Sequence, residues 1–349
     1  MEPAPQVLIQ CVTHNHVAFL PHFFSSLDAQ TSRAFQVTMV DTASQDGSLA
    51  WLAEHRPEAV TLRNARAFGW SRGQNQGLAF NLARWPESEW SSHFLVFMAP
   101  NAVLAPTALA QIVEAFERDS ALMFAVPRTL HAAIHVAEDE AVSLDRTPRI
   151  EEGEMRLTRS RRVMFPEAGG INTEESLEPR EVFAASGACV AVRASVWQAL
   201  GKEERSLFFD QDLSPFQAVL DVMWRARWAG LKIALLPAVQ VWRVASNELQ
   251  VQGWRRWRAW YSAAAREQRA DQVYIGRVRL KEDSPLLRLR HAPWIVWGCV
   301  RRYGLLLVDP LMWPKLDISV SAWVRLFNHR VSRQTFSRIS TKDMAVWFR

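Results

Sequence analysis

Asp210, Asp212 and Asp221 are carboxylates whose chemistry could serve proton transfer. The first two sit in the run Phe208-Phe209-Asp210-Gln211-Asp212, and the third in the helical stretch beyond it. A carboxylate beside a pocket can take a proton from a hydroxyl, so each is a candidate general base. Each also has an ordinary reading: Asp210 and Asp212 suit a turn before a helix, and Asp221 can pair with Arg225 one turn later. Asp41 closes the apolar run 35–40. At a strand end its carboxylate can accept a hydrogen bond from a ligand, or it can serve as a turn residue. The glycines of Gly69-Trp70-Ser71-Arg72-Gly73-Gln74-Asn75-Gln76-Gly77 permit tight turns and close backbone approach to a ligand. Arg72 can pair with a phosphate or stay solvated. Asn101 follows the run 94–98. Its carbonyl oxygen can serve a hard cation, more weakly than a carboxylate would.

The segments that hold these residues alternate strand and helix through residues 7–120. Residues 7–12 form an apolar run suited to a buried parallel strand. Residues 19–30 carry Phe19, Phe23, Phe24 and Leu27 at helical spacing. Strands are predicted at 35–40, 60–62 and 94–98, and helices at 48–55, 73–83 and 107–118. Strands separated by helix-length segments imply an α/β fold with a doubly wound, mostly parallel sheet and helices on both faces. Ligands then bind at the carboxyl ends of the strands. Residues 131–181 are polar and weakly periodic, with Glu151-Glu152-Gly153-Glu154 and Arg159-Ser160-Arg161-Arg162, and predict a long active-site or crossover loop. Strand character returns at 182–192, a helix ends at 224–230, and a strand follows at 231–236. Beyond Val244 the pattern turns to amphipathic helices. Two regions are therefore expected: an α/β domain over 1–243 and a helical, basic, Trp-rich C-terminal region over 244–349.

The chain of 349 residues can bury a full α/β core. Cys11, Cys189 and Cys299 lack metal spacing and give no disulfide framework, which fits a reducing compartment. The N-terminal residues show neither a basic segment nor a long apolar stretch, so no leader is expected. The best apolar window, 292–313, is interrupted by Arg301, Arg302, Asp309 and Pro310 and falls short of a spanning helix. The net charge of +5 is uneven. Between Trp254 and Arg302, twelve Lys/Arg stand against four Asp/Glu, which leaves the remainder at −3. Eight of the 16 Trp and all three Tyr lie from Trp254 onward. Such a stretch suits a surface that meets polyanions. The run Trp254-Arg255-Arg256-Trp257-Arg258-Ala259-Trp260-Tyr261 fits an interfacial helix on anionic lipid. The alternative is a packed helical subdomain with solvated arginines. No nucleic-acid motif accompanies the basic residues, so no nucleic-acid partner is expected.

Five blocks, taken in order, resemble the family 2 glycosyltransferases of the rhamnosyltransferase-like branch, which have the GT-A fold. They are Thr13-His14-Asn15, Val40-Asp41-Thr42-Ala43-Ser44-Gln45-Asp46-Gly47-Ser48, the glycine block 69–77, Ala185-Ser186-Gly187-Ala188-Cys189, and Trp224-Arg225-Ala226-Arg227-Trp228-Ala229-Gly230-Leu231-Lys232. The resemblance covers about residues 7–243. It implies a nucleotide-sugar site built from Thr13, Asn15, Asp41, Ser44, Gly69, Arg72, Gly73, Asn75, Asn101, Ser186, Gly187 and Arg243. In such a site Asp41 accepts from the nucleobase imide, and Asn75 faces the nucleotide or sugar.

The departures from the family pattern fall in its catalytic parts. The family's turn after the fourth strand carries an aspartate for Mg²⁺ or Mn²⁺, and here the turn is Ala99-Pro100-Asn101. Its Glu-Asp pair before the last helix, whose aspartate is the general base, aligns with Ala218 and Val219. Its frequent metal-ligating His after the last core strand aligns with Arg243. A divalent metal is implied by the family and opposed by these residues. Arg243 could supply the leaving diphosphate with the charge a metal would have supplied. The resemblance thus implies a glycosyltransferase using a UDP- or dTDP-sugar donor. Its acceptor would be a cell-surface glycan or a lipid-linked sugar, at the cytoplasmic face of the plasma membrane. The other reading is a transferase-like module that binds or scaffolds without turnover.

Overall fold

The computed structural model describes residues 5–136, 142–160, 162–173, 177–200, 208–211, 213–245, 285–297 and 339–348. The N-terminal half follows the predicted alternation: β1 (Val7–Thr13), α1 (Leu20–Asp28), β2 (Phe35–Thr42), α2 (Ser48–His55), β3 (Val60–Asn64), α3 (Trp70–Leu82), β4 (Phe94–Met98), β5 (Ala102–Leu104) and α4 (Ala108–Arg118). β1 and β4 are buried along their whole length, which is why they read as unbroken apolar runs. α3 begins at Trp70, three residues earlier than the sequence pattern suggests.

The region expected to be a long loop is mostly strand. β6 (Leu122–Val136) and β7 (Val142–Glu152) pair antiparallel. β8 (Glu154–Leu157) and β9 (Val163–Met164) join β11 (Ala184–Ala185) in a three-stranded sheet. Then come β10 (Arg180–Glu181), which pairs with the last strand, β12 (Cys189–Arg193), α5 (Val196–Leu200), α6 (Pro215–Trp228) and β13 (Lys232–Ala245). β7 had the look of a loop because it is polar and charged and carries Pro148. Its order comes from pairing with β6, which local sequence does not show.

Among the described residues the main sheet runs β10-β13-β6-β12-β4-β1-β2-β3, with β5 on β13 and β7 on β6. β1 to β4 are mutually parallel. β12 is antiparallel to both β4 and β6, and β13 is parallel to β6. The carboxyl ends of β1, β2, β4 and β13 therefore share one edge, and the start of β12 lies there too.

α3 is pressed onto β1. A Cβ at Gly77 would lie 2.6 Å from Gln10 Cδ, and one at Gly73 would lie 2.9 Å from Val12 Cγ1. Beneath it the Asn81 amide donates to Gln10 Oε1 at 3.1 Å and accepts from Thr38 Oγ1 at 2.8 Å, so the buried polar side chains are paired. Near the C-terminus, Met344, Phe348 and Leu287 belong to the same apolar cluster as Phe183 and Trp224. The core thus draws on both sides of residue 243.

Candidate active site

Asp41, next to last in β2, lies at the shared edge and is 0% exposed. Its Oδ2 accepts from the Ser44 backbone N–H at 3.1 Å. Its Oδ1 is buried with no partner among the described residues. A buried acceptor left unpaired costs about 1–3 kcal/mol, and a ligand N–H arriving at this strand end would satisfy it. The loops on either side are laced together. Ser44 Oγ accepts from the Asn15 N–H at 3.0 Å, and Asn15 Oδ1 accepts from the Gln45 N–H at 2.7 Å. Thr13 is buried, and its carbonyl accepts from Thr42 Oγ1 at 3.2 Å. Asn15 (φ 57°) and Ala43 (φ 61°) both hold left-handed backbone, which is costly for residues with a Cβ and tends to mark functional loops. His14 and His16 spend their Nδ1 atoms locally: His14 Nδ1 lies 2.7 Å from the Thr42 carbonyl, and His16 Nδ1 accepts from the His14 N–H at 3.1 Å.

The glycine block divides by role. Gly69 faces open space, whereas Gly73 and Gly77 serve helix-on-strand packing rather than ligand approach. Arg72 is exposed, with its guanidinium over the Phe68 ring. Asn75 commits both ends of its amide to Phe209, donating to the carbonyl at 2.6 Å and accepting from the N–H at 2.9 Å. It therefore braces the Phe208-Phe209 segment rather than presenting a free amide to a ligand.

That segment walls a cavity of about 250 Å³ that opens at the same edge. Apolar side chains dominate it: Trp70 and Phe97 pack against Phe209, and α6 contributes Phe216, Val219 and Val222. Its polar groups are Gln74, Ser186, Glu152 and Arg243. Gly187 lies at the rim where only glycine fits, because a Cβ would meet Thr129 Oγ1 at 2.6 Å.

Glu152 and Arg243 form the electrostatic centre of the cavity. Arg243 Nη1 donates to Glu152 Oε1 at 2.6 Å and Nη2 to Oε2 at 3.2 Å. Ser186 Oγ donates to the same Oε2 at 2.6 Å, and Arg243 Nη1 reaches Glu151 Oε1 at 3.2 Å. Burial pushes the Glu152 carboxyl up, but Arg243 and Ser186 outweigh it and hold it below its ordinary value. Burial raises the Glu151 carboxyl, and Arg243 offsets this only in part. Burial disfavours the Arg243 cation, yet the two glutamates more than compensate and raise its pKa.

The predicted bases fare differently. Asp221 is 0% exposed and accepts from Arg225 Nε at 3.0 Å, the i,i+4 pairing open to it from the sequence. It does not line the cavity. Asp210 is half-buried, its carbonyl accepts from the Leu213 N–H, and it too is absent from the cavity lining. Asp212 lies outside the described residues. Val219, aligned with the family's base, does line the cavity. The carboxylate that reaches it is Glu152, which the sequence reading passed over because its partner Arg243 is 91 residues away.

The residues at the family's metal position do not suit a divalent cation. Asn101 donates its amide to the Val244 carbonyl at 2.9 Å and so is tied to β13. Arg243 pairs with Ala102 in the neighbouring strand and reaches the cavity already bonded to Glu151 and Glu152. Among the described residues no three His, Cys, Asp or Glu side chains group as metal ligands.

The chain belongs to glycosyl transferase family 2, which residues 9–198 match. No curated protein matches it by sequence. Among solved structures it is similar to GalNAc-T7 with UDP, GalNAc and Mn²⁺, at 15% identity and a TM-score of 0.51, covering 84% of this chain and 55% of that one. It is also similar to the mannosyltransferase PcManGT from Pyrobaculum calidifontis in complex with GDP-Man and Mn²⁺, at 14% identity and a TM-score of 0.50, covering 95% and 86%. At these identities the likeness concerns the fold, which is GT-A. The chain spans about half the length of GalNAc-T7.

Proposed function

We propose that this chain transfers a sugar from a nucleotide-sugar donor and meets the donor diphosphate with Arg243 rather than with a tightly held divalent cation. The observation that carries this reading is the buried, unpartnered Oδ1 of Asp41 on the edge where the cavity opens. β2 and β4 are separated only by β1. At a strand spacing of about 4.8 Å, Asp41 and the β4 end of the cavity are roughly 10 Å apart. A ribosyl diphosphate can bridge such a gap, with the base on Asp41 and the sugar in the cavity. A uracil, thymine or guanine edge offers the N–H that Asp41 lacks. A thermal-shift panel of UDP-, dTDP- and GDP-sugars, with and without Mn²⁺, tests the reading. At least one donor should raise Tm in EDTA, and no shift with any donor under either condition would refute it.

The reading as a scaffold draws on Val219 and the paired Asp221, and Glu152 in the cavity argues against it. The acceptor proposed is a lipid-linked or membrane-proximal glycan. Support comes from the basic, Trp-rich sequence after Val244 and from Leu286, Leu289, Trp294 and Trp297, all well exposed. Trp254, Trp257 and Trp260 lie outside the described residues. No described helix is long and apolar enough to cross a membrane. Peripheral contact with anionic lipid is the mode proposed, and flotation with anionic vesicles at low and high salt checks it.

A further inference from the structure

Glu152 is the only carboxylate among the described residues that lines the cavity. It is fully engaged, with two bonds from Arg243 and one from Ser186. Arg243 is in turn held by two carboxylates, Glu152 and Glu151. With both ionised, the cluster carries a net charge of −1. A guanidinium so neutralised cannot serve an incoming diphosphate while it keeps both partners. A carboxylate so paired makes a poor base.

Both obstacles are removed by one exchange. Glu152 and Arg243 face the same cavity, and each side chain is about a quarter exposed, at 24% and 23%. A diphosphate entering there offers paired anionic oxygens that the planar guanidinium can grip bidentately. Once Arg243 turns to it, Glu152 is left with Ser186 as its remaining partner in a mainly apolar enclosure. Loss of a neighbouring positive charge in such a setting raises the proton affinity of a carboxylate.

We infer that Glu152 is the proton acceptor of the transfer reaction, held in reserve by Arg243 until the donor diphosphate binds. The inference rests on the donor site proposed above. In the step itself the acceptor hydroxyl oxygen bonds to the anomeric carbon. The bond from that carbon to the diphosphate oxygen breaks, and its electron pair leaves with the diphosphate. The hydroxyl proton passes to Glu152, and Arg243 faces the charge developing on the diphosphate. Val219, on the α6 side of the same cavity, leaves the acceptor's other flank apolar.

The test uses the full chain and Glu152→Gln, with two readouts. Calorimetry measures binding of UDP, dTDP and GDP. Release of nucleoside diphosphate from UDP-, dTDP- and GDP-sugars, with water as acceptor, measures turnover. Glu152→Gln should bind nucleotide as well as wild type or up to about tenfold more tightly, because a neutral amide competes less for Arg243. Its turnover should fall by about 100-fold or more, the typical contribution of a general base. Turnover close to wild type overturns the inference. So does loss of nucleotide binding with the fold intact, which would make Glu152 a structural anchor. A wild-type chain that binds nucleotide but turns over no donor also overturns it and leaves the donor site standing. A chain that binds no nucleotide removes both. Should Glu152→Gln fail to fold, Glu152→Asp carries the test: a carboxylate drawn back by one methylene must still bind nucleotide but turn over more slowly, and unchanged turnover is the refuting result.

Discussion

Replacing Asp41 should separate binding from stability. In the free protein the side chain makes one hydrogen bond, from the Ser44 N–H, and carries one buried oxygen with no partner. Asp41→Ala forfeits the bond to a charged acceptor, worth about 1.5–3 kcal/mol, and relieves the orphaned acceptor, worth about 1–3 kcal/mol. The two offset each other, so stability should change by no more than about 2 kcal/mol in either direction, a Tm shift of roughly 4–8 °C at most. Binding has no such compensation. A hydrogen bond from a nucleobase N–H to a carboxylate contributes about 1.5–3 kcal/mol, so nucleotide affinity should fall by roughly 10- to 150-fold. Calorimetry with UDP, dTDP and GDP gives the affinity, and differential scanning calorimetry gives Tm. An unchanged affinity in a folded variant removes Asp41 from the site. A steep loss of Tm would show instead that the carboxylate is structural and that its orphaned oxygen has been misread.

Two further outcomes follow from the cavity. Gly187→Ala drives a Cβ to 2.6 Å from Thr129 Oγ1 and 3.5 Å from the Pro127 carbonyl. It should cost about 1–3 kcal/mol by overpacking and weaken donor binding by moving Ser186, with Tm and calorimetry as readouts. Glu151 has its carboxyl raised by burial above the ordinary 4.5. The folded state therefore holds that proton to higher pH than the unfolded chain does. Its contribution is intact below 4.5 and is lost as pH rises through the folded value. Glu151→Gln removes that loss, so its Tm should exceed wild type at pH 7–8, and the gain should vanish below the ordinary value. Thermal scans across pH check this, and a variant less stable than wild type at pH 8 contradicts it.

What the sequence disclosed depended on how local the cause was. β1, β2 and β4 are buried enough to write themselves as apolar runs, and Asp41 was legible because it ends one of them. The pairing of Asp221 with Arg225 was legible because it spans one helical turn. Gly73 and Gly77 showed that something approaches closely but not what, and the partner is strand β1. The family resemblance implies a ligand contact for Asn75, whereas its partner Phe209 lies 134 residues on. β7 escaped notice because its charged residues become ordered only against β6, and with it went Glu152. The electrostatic centre of the cavity joins β7, β13 and Ser186 of the turn between β11 and β12, and no window of sequence contains that meeting.

The central claim is that Arg243 does for the donor diphosphate what a divalent cation would do. Its most direct test is a calorimetric titration of UDP, dTDP and GDP into the wild-type chain, in EDTA and in Mn²⁺. Nucleotide affinity should differ by less than about tenfold between the two conditions, and Arg243→Ala should abolish most of the binding seen in EDTA. An affinity that rises more than about 100-fold with Mn²⁺, roughly 2.7 kcal/mol, would show a competent metal site and contradict the account.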